Sequence, residues 1–570
     1  MEAIAVTRAR VSYLERVKTY LRAHPAFVPA VILFVVLAIF IAFPIGSVLI
    51  KSLFDREGGG LTLQYFIEFF SHRYHYRSVV NSLILAAATT GILMVLGFIF
   101  AYVVTRGPSI LRAPLRIVAL LPLIAPPYIF GISLIILAGK RGIITRALDL
   151  EEWNIYGWDG VIVSQVLSFL PLAFIMIENV LNSLDPNLED SASDMGARES
   201  TVLRTVTMPL STPGVLKAAL LVFALSIADF ANPALLGAKL SFLAPQAWLF
   251  MTGEYNFEMA SVVSVLLVVP CIGIFLLHHY WLKGKAYATI VGRPVAAEAR
   301  EIGPLIKVVS LVVCLLVAVS ILATFAVTVF GAFTVLVGIN NTFTWKYVDL
   351  TRAVELGALF TSLRVSLAAG IIGAIMGTVL AYVLMRGNVR GRNLMEFLAL
   401  AGFALPGTVL GIGYVIAFNQ PHLYGVLPPM TGTLAIIVVV LVFHTLAVPL
   451  EAGFSKLYQI SIEMEEASAD LGGRFLTTFR RVVLPLMFSA FIAGFIYTFM
   501  YSMVSVSAPI LLIAPGKVLA SVYIFQMANL GIMGKACGLA LYLIIAVLAS
   551  LAALRFITRK LGASILIGRG

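Results

Sequence analysis

A chain of 570 residues that is 60% hydrophobic and 12% charged, with a mean hydropathy of +1.00, is too apolar for a soluble protein, where charged residues make up about 25%. Its length would allow several soluble domains, but repeated long apolar runs exclude them and predict an all-α polytopic membrane protein. The net charge of +12 invites a nucleic-acid partner, and the placement of the basic residues excludes one.

The chain opens on a polar tail carrying Arg8, Arg10, Arg16, Lys18 and Arg22. The first apolar run, about 27–50, is longer than the roughly 7–15 residues of a cleaved signal core, and reads as a retained span. About 20 apolar residues cross a bilayer. On that measure five more spans follow in the first half, at roughly 79–104, 117–138, 160–182, 213–236 and 259–282. The second half gives six, at roughly 306–330, 357–384, 395–417, 432–452, 487–513 and 534–556. With the N-terminus inside, 27 of the 40 Lys and Arg residues fall in cytoplasmic segments, which places both termini in the cytoplasm and accounts for the basic charge without nucleic acid. Cys271, Cys314 and Cys537 sit in or beside apolar runs without metal-ligand spacing, and are expected as small buried apolar residues.

The spans repeat. AYVVTRG (101–107) recurs as AYVLMRG (381–387), an offset of 280; Pro126 and Gly131 recur as Pro406 and Gly411; Pro171-Leu172 recurs as Pro449-Leu450. Six spans per copy make the two halves parallel repeats around a shared axis. Residues 1–282 form the first half, 283–305 a polar cytoplasmic linker, and 306–570 the second half.

Between spans 4 and 5 the acidic stretch LEDSASDMGA (188–197) breaks the apolar pattern, and MEEASADLGG (464–473) repeats it between spans 10 and 11. Leu188, Ala192 and Met195, and likewise Met464, Ser468 and Leu471, make one apolar stripe on a short helix. Gly196 and Gly472 stand where such a helix turns, and 13 residues beyond each lies a proline, Pro209 or Pro485, suited to the first turn of the helix that enters the membrane. A doubled cytoplasmic helix with an apolar knob suits insertion into a groove on two equivalent soluble partners.

These stretches resemble the EAA loops of permease subunits in binding-protein-dependent ABC importers. Asp190-Ser191-Ala192…Gly196…Pro209 and Glu466-Ala467-Ser468…Gly472…Pro485 carry the pattern, with Asp for Glu and Ser for Ala in the first copy and Ser for the second Ala in the other. The resemblance implies a type I importer fold, with loops at about 183–212 and 453–486 that dock on two copies of a cytoplasmic ABC ATPase. Glu189, Asp190, Ala192 and Gly196, with Glu465, Glu466, Ala467 and Gly472, would be the coupling residues. It also implies an extracytoplasmic solute-binding protein, a place in the bacterial inner membrane, ATP used by the partner alone, and no cofactor on this chain. No P-loop GxxxxGK[ST] occurs in the sequence, consistent with a transport subunit that is not an enzyme. The fused form with two loops is most similar to the iron(III) branch; thiamine, phosphonate and polyamine systems share the build.

Asp229 and Asn232, in SIADFANPALLG, lie toward the outer end of span 5, where a carboxylate is costly unless it faces a bundle interior or water. With Ser505 and Ser507 of the matching stretch SMVSVSAPILL they are candidates for lining the substrate path, and Pro233 is expected to break the helix there. His444 is expected in a helix–helix hydrogen bond and His278 and His279 at the inner end of span 6. Glu178 and Asn179 are placed to brace the first acidic helix or to reach headgroups, and the outer loop SHRYHYRS (71–78) reads as an interfacial belt. The rival reading, an ion-gradient-driven secondary transporter, needs buried mid-membrane charges and no repeated docking helix.

Overall fold

The computed structural model of the chain describes residues 26–54, 60–149, 153–277, 304–337, 339–349, 353–420 and 429–560. His278, His279 and linker residues 283–303 lie outside them. Among the described residues, eight helices are long and apolar enough to cross a bilayer, and four bent pairs bring the number to twelve.

The bends follow the prolines. Span 3 is a pair, Ser109–Ile124 and Ile129–Ala147, turned by 103°, and span 9 is Arg392–Ala404 and Gly407–Phe418, turned by 112°. A residue before proline is pushed out of the helical region, and Ala125 (φ −117°, ψ 151°) and Leu405 (φ −84°, ψ 138°) are both extended. The single spans expected at 117–138 and 395–417 are therefore broken ones. Span 10 bends by 47° between Thr445 and Ala447, where Pro449 has no N–H for the carbonyl of Thr445.

Span 5 also differs from expectation. Its helix runs over Glu199–Ala228, so Pro209 does not begin it but follows a π-turn at Leu203–Thr207. The second half has the same π-turn at Phe479–Val483 before Pro485, and its span turns by 70° between Leu486 and Phe488. A π-turn relocates the carbonyl that a downstream proline cannot satisfy. Both spans end at matching residues, Asp229 (ψ 121°) and Ser505 (ψ 137°). Pro233 and Pro509 stand four residues on and lack the N–H that would continue each helix.

Beyond these breaks lie two ten-residue helices, Leu243–Thr252 and Ala520–Asn529, too short to cross a bilayer. Their first N–H groups are capped from a neighbouring span: Leu243 N donates to Ser82 Oγ (2.9 Å) and Ala520 N to Ser362 Oγ (2.7 Å). The repeat thus extends to single hydrogen bonds. The SHRYHYRS stretch is not a loop, because the helix of span 2 starts at Arg73, and the His75 ring packs against Phe69 and Phe250.

The halves exchange their first helices. Span 1 (Phe27–Leu53) lies on the second half, where Tyr414 donates to the carbonyl of Phe40 (2.7 Å) and the Phe40 ring packs on Phe418 and Phe443. Span 7 (Ile306–Ala332) lies on the first half, where Ser133 donates to the carbonyl of Thr324 (2.9 Å) and Phe130 meets Phe325. Cys271, Cys314 and Cys537 are all buried free thiols.

Small residues let spans 8, 10 and 11 close around Pro449. A Cβ on Gly377 would lie 2.4 Å from the Cβ of Pro449, and one on Gly494 would lie 2.8 Å from it. Gly377→Val is expected to force these helices apart at a cost of about 1–3 kcal/mol. A lowered thermal midpoint in detergent checks this, with Gly357→Val, whose Cβ meets nothing within 4 Å, as the unchanged control.

Candidate functional site

The acidic stretches fold as two short helices, Pro186–Asp194 and Glu463–Asp470, each set between the end of one span and the start of the next. In the first, Asp185 caps the N-terminus by accepting from Asn187 N (3.0 Å). Both end on a left-handed glycine, Gly196 at φ +86° and Gly472 at φ +83°, a conformation open to glycine at little cost. A Cβ at either glycine would touch nothing within 4 Å, so backbone conformation rather than space selects the residue.

The stripe does not turn inward. Met195 is 83% exposed and Leu471 is 91% exposed, and Leu188 and Met464 are exposed beside them. Glu466 and Ala467 are exposed as well, while Asp190 and Ala192 are half-buried. Each helix therefore presents a bare apolar knob at its glycine end, with acidic residues around it.

Glu189 and Glu465, grouped by sequence with the coupling residues, point the other way. Glu189 is buried, pairs with Arg106 Nε (3.1 Å) and accepts from Thr207 Oγ1 (2.8 Å). Glu465 pairs with Arg386 Nε (2.8 Å) and accepts from Tyr382 Oη (3.3 Å). They fasten the helices to the spans, so the surface left for a partner is the knob with its remaining acids. Glu178 does not brace the first acidic helix; it pairs with Arg116 (3.2 Å).

The second candidate group lies at the break of span 5. Asp229 Oδ1 accepts from the backbone N–H of Ala231 (3.2 Å) and Asn232 (3.5 Å), and Oδ2 from Asn232 Nδ2 (2.9 Å) and Gln165 Nε2 (3.0 Å). Gln165 Oε1 in turn accepts from Ser226 (2.6 Å) and Thr89 (3.0 Å), and Asn232 Oδ1 from Ser164. Asn232 and Ser505 are buried, Asp229 and Ser507 half-buried, and the Ser507 hydroxyl sits against Gly407. Asp229 thus caps a broken helix from within a polar network over spans 2, 4 and 5. In the second half Ala369, Val442, Phe443 and Ala508 occupy the matching positions. Nothing in a single run of sequence joins Thr89, Gln165 and Asp229; only the shared cost of polar groups inside spans hints at it.

Where the halves meet, Tyr128 donates to the carbonyl of Ser521 (2.6 Å), and its ring and that of Phe230 pack on Phe525. His444 meets Tyr501 Oη at 3.3 Å, the helix–helix contact expected of it.

Residues 93–285 match the family model described as the binding-protein-dependent transport system inner membrane component. The chain is 27% identical over 537 residues to the ferric transport system permease protein FbpB of Actinobacillus pleuropneumoniae, covering 92% of this chain and 77% of that one. It is 28% identical over 501 residues to the putative ferric transport system permease protein FbpB 1 of Haemophilus influenzae, covering 85% and 78%. A shorter match, 35% identical over 158 residues, joins 28% of the chain to 58% of the molybdenum transport system permease protein ModB of Mycobacterium bovis. With its two sets of spans, each carrying one EAA-type helix, the chain is similar to the inner-membrane permeases of binding-protein-dependent transport, over residues 93–285 to the family model and over most of its length to the ferric transport permeases.

Proposed function

We propose that this permease passes iron(III) into the cytoplasm as the membrane unit of an ATP-driven importer. The observation that carries the solute is the reach of the similarity: relatives named for ferric transport match over 85–92% of the chain, the molybdenum relative over 28%. The exposed knobs at Met195 and Leu471 support docking of two copies of a cytoplasmic ABC ATPase, one per half. ATP is bound and hydrolysed there, and this chain carries no cofactor. The basic ends of the spans, both acidic helices and both termini face the cytoplasm, and an extracytoplasmic solute-binding protein delivers iron at the opposite end. Closure of the ATPase pair draws the acidic helices together. The halves then rock about their shared axis, and the contact of Tyr128 and Phe230 with Phe525 opens as a gate.

The test is uptake by proteoliposomes holding this chain and its ATPase, supplied with iron(III)-loaded binding protein. Uptake that requires ATP and survives a proton ionophore supports the reading. Uptake of thiamine, a phosphonate, a polyamine or molybdate in place of iron overturns the solute. Uptake driven by an ion gradient without the ATPase overturns the machine.

A further inference from the structure

We propose that the duplicated AY…RG ending of spans 2 and 8 and the duplicated acidic helix are two faces of one joint. In it Arg106 and Arg386 are positioning residues that carry movement of the acidic helices into the membrane spans. The inference rests on the docking role proposed above.

Arg106 stands at the last helical residue of span 2, and Arg386 at the matching end of span 8. Arg106 Nε holds Glu189, and Nη2 donates to the carbonyl of Leu181 (3.4 Å) in span 4. The other oxygen of Glu189 accepts from Thr207, in the π-turn of span 5. One ion pair thus knots span 2, span 4, the acidic helix and span 5. In the second half Arg386 Nη2 donates to the carbonyls of Leu457 (3.3 Å) and Ile460 (3.1 Å), at and just beyond the end of span 10.

The fourth strand of that knot is built differently. Val483 replaces Thr207, and Tyr382 takes over, donating to Glu465 while its ring packs against Phe475 and Phe479 at the start of span 11. Two chemistries that reach the same mechanical connection argue for the connection rather than for either bond. Because Arg106 is 5% exposed, sliding the helix off it would strand a buried charge, so helix and span move together. A planar guanidinium that bonds a carboxylate and a carbonyl at once also fixes direction, which an ammonium does not.

The experiment uses the complex with the ATPase, with Cys271, Cys314 and Cys537 replaced by alanine. Spin labels at Asn187→Cys and Glu463→Cys report the acidic helices, and a second preparation labelled at Ile110→Cys and Arg390→Cys reports the chain just past spans 2 and 8. With a non-hydrolysable ATP analogue, both distances are expected to shorten in the unaltered joint. In Arg106→Met/Glu189→Met/Arg386→Met/Glu465→Met the 187–463 distance still shortens, and the 110–390 distance no longer follows. Reversing both pairs (Arg106→Glu/Glu189→Arg with Arg386→Glu/Glu465→Arg) rebuilds the ion pairs without the bonds to the Leu181, Leu457 and Ile460 carbonyls, and recovers part of the response. Arg106→Lys/Arg386→Lys, milder for folding, gives a reduced response and raises ATP hydrolysed per iron(III) transported about 5-fold or more, the scale of an ordinary coupling free energy. If the 110–390 distance follows in the methionine variant, the joint is not the transmission. If the 187–463 distance ignores nucleotide in the unaltered joint, the docking reading falls and this inference with it.

Discussion

A permease carrying Met195→Asp and Leu471→Asp is expected to insert and fold normally and to lose, on purification, the ATPase proposed to dock on its acidic helices. Both side chains stand at the glycine end of an acidic helix and are almost wholly exposed, so removing them takes no packing from the permease itself. An exposed apolar side chain alone needs no explanation. Two at repeat-matched positions, each locked in place by a left-handed glycine and an internal ion pair, are a different matter. If each fills a pocket on its partner, truncation alone costs about 2 kcal/mol or more per site, and a carboxylate in an apolar pocket adds its desolvation. Two such losses in one assembly take an ATPase bound at nanomolar strength into the micromolar range or beyond. The measurement is retention of ATPase by tagged permease, with insertion followed by the yield of monodisperse protein in detergent. Single variants are expected to retain a weakened complex. Equal retention by the double variant would place docking elsewhere.

The sequence disclosed this architecture unevenly, for physical reasons. The spans were legible because a bilayer demands long apolar runs, and the acidic helices because they interrupt those runs twice. Gly196 and Gly472 were legible because a left-handed turn selects glycine on local grounds. Arg106 and Glu189 were not, because 83 residues separate two ends of one ion pair, and each alone passes for a headgroup or solvent contact. The recurrence of Arg before Gly in AYVVTRG and AYVLMRG was the available signal, and it reported repetition without a partner. The breaks in spans 3 and 9 were written in Pro126 and Pro406, but hydropathy averaged over about 19 residues passes straight through a 103° turn. For the same reason the helices Leu243–Thr252 and Ala520–Asn529 were missed: a short buried segment and part of a span carry the same composition.

The network at Asp229 gives the other large effect, and here the two halves diverge. Asp229→Leu is expected to lower the thermal midpoint sharply and abolish transport. The orientation of each amide explains why. Gln165 Oε1 is committed to Ser226 and Thr89, and Asn232 Oδ1 to Ser164, so both amides aim their NH2 groups at the same carboxylate. Neither can flip without setting its carbonyl oxygen against the carboxylate, which only accepts. Leucine leaves the Asn232 amide and two backbone N–H groups without their acceptor, and Gln165 Nε2 with the Ser226 carbonyl alone (3.1 Å), at about 1–3 kcal/mol for each donor that stays buried and unpaired. Asp229→Asn keeps the backbone bonds through its oxygen, sets an NH2 against two others, and is expected to fall between. The second half shows how the site does without the carboxylate: serine at 505, with Val442, Phe443 and Ala508 in place of Ser164, Gln165 and Asn232. Moving that solution across as Ser164→Val/Gln165→Phe/Asp229→Ser/Asn232→Ala should recover much of the midpoint that Asp229→Leu loses, since replacing a whole polar network costs less than orphaning its members. Thermal unfolding in detergent separates the cases. A midpoint unchanged by Asp229→Leu would mean that the carboxylate does not hold the helix break, and would return it to the list of groups that face the solute.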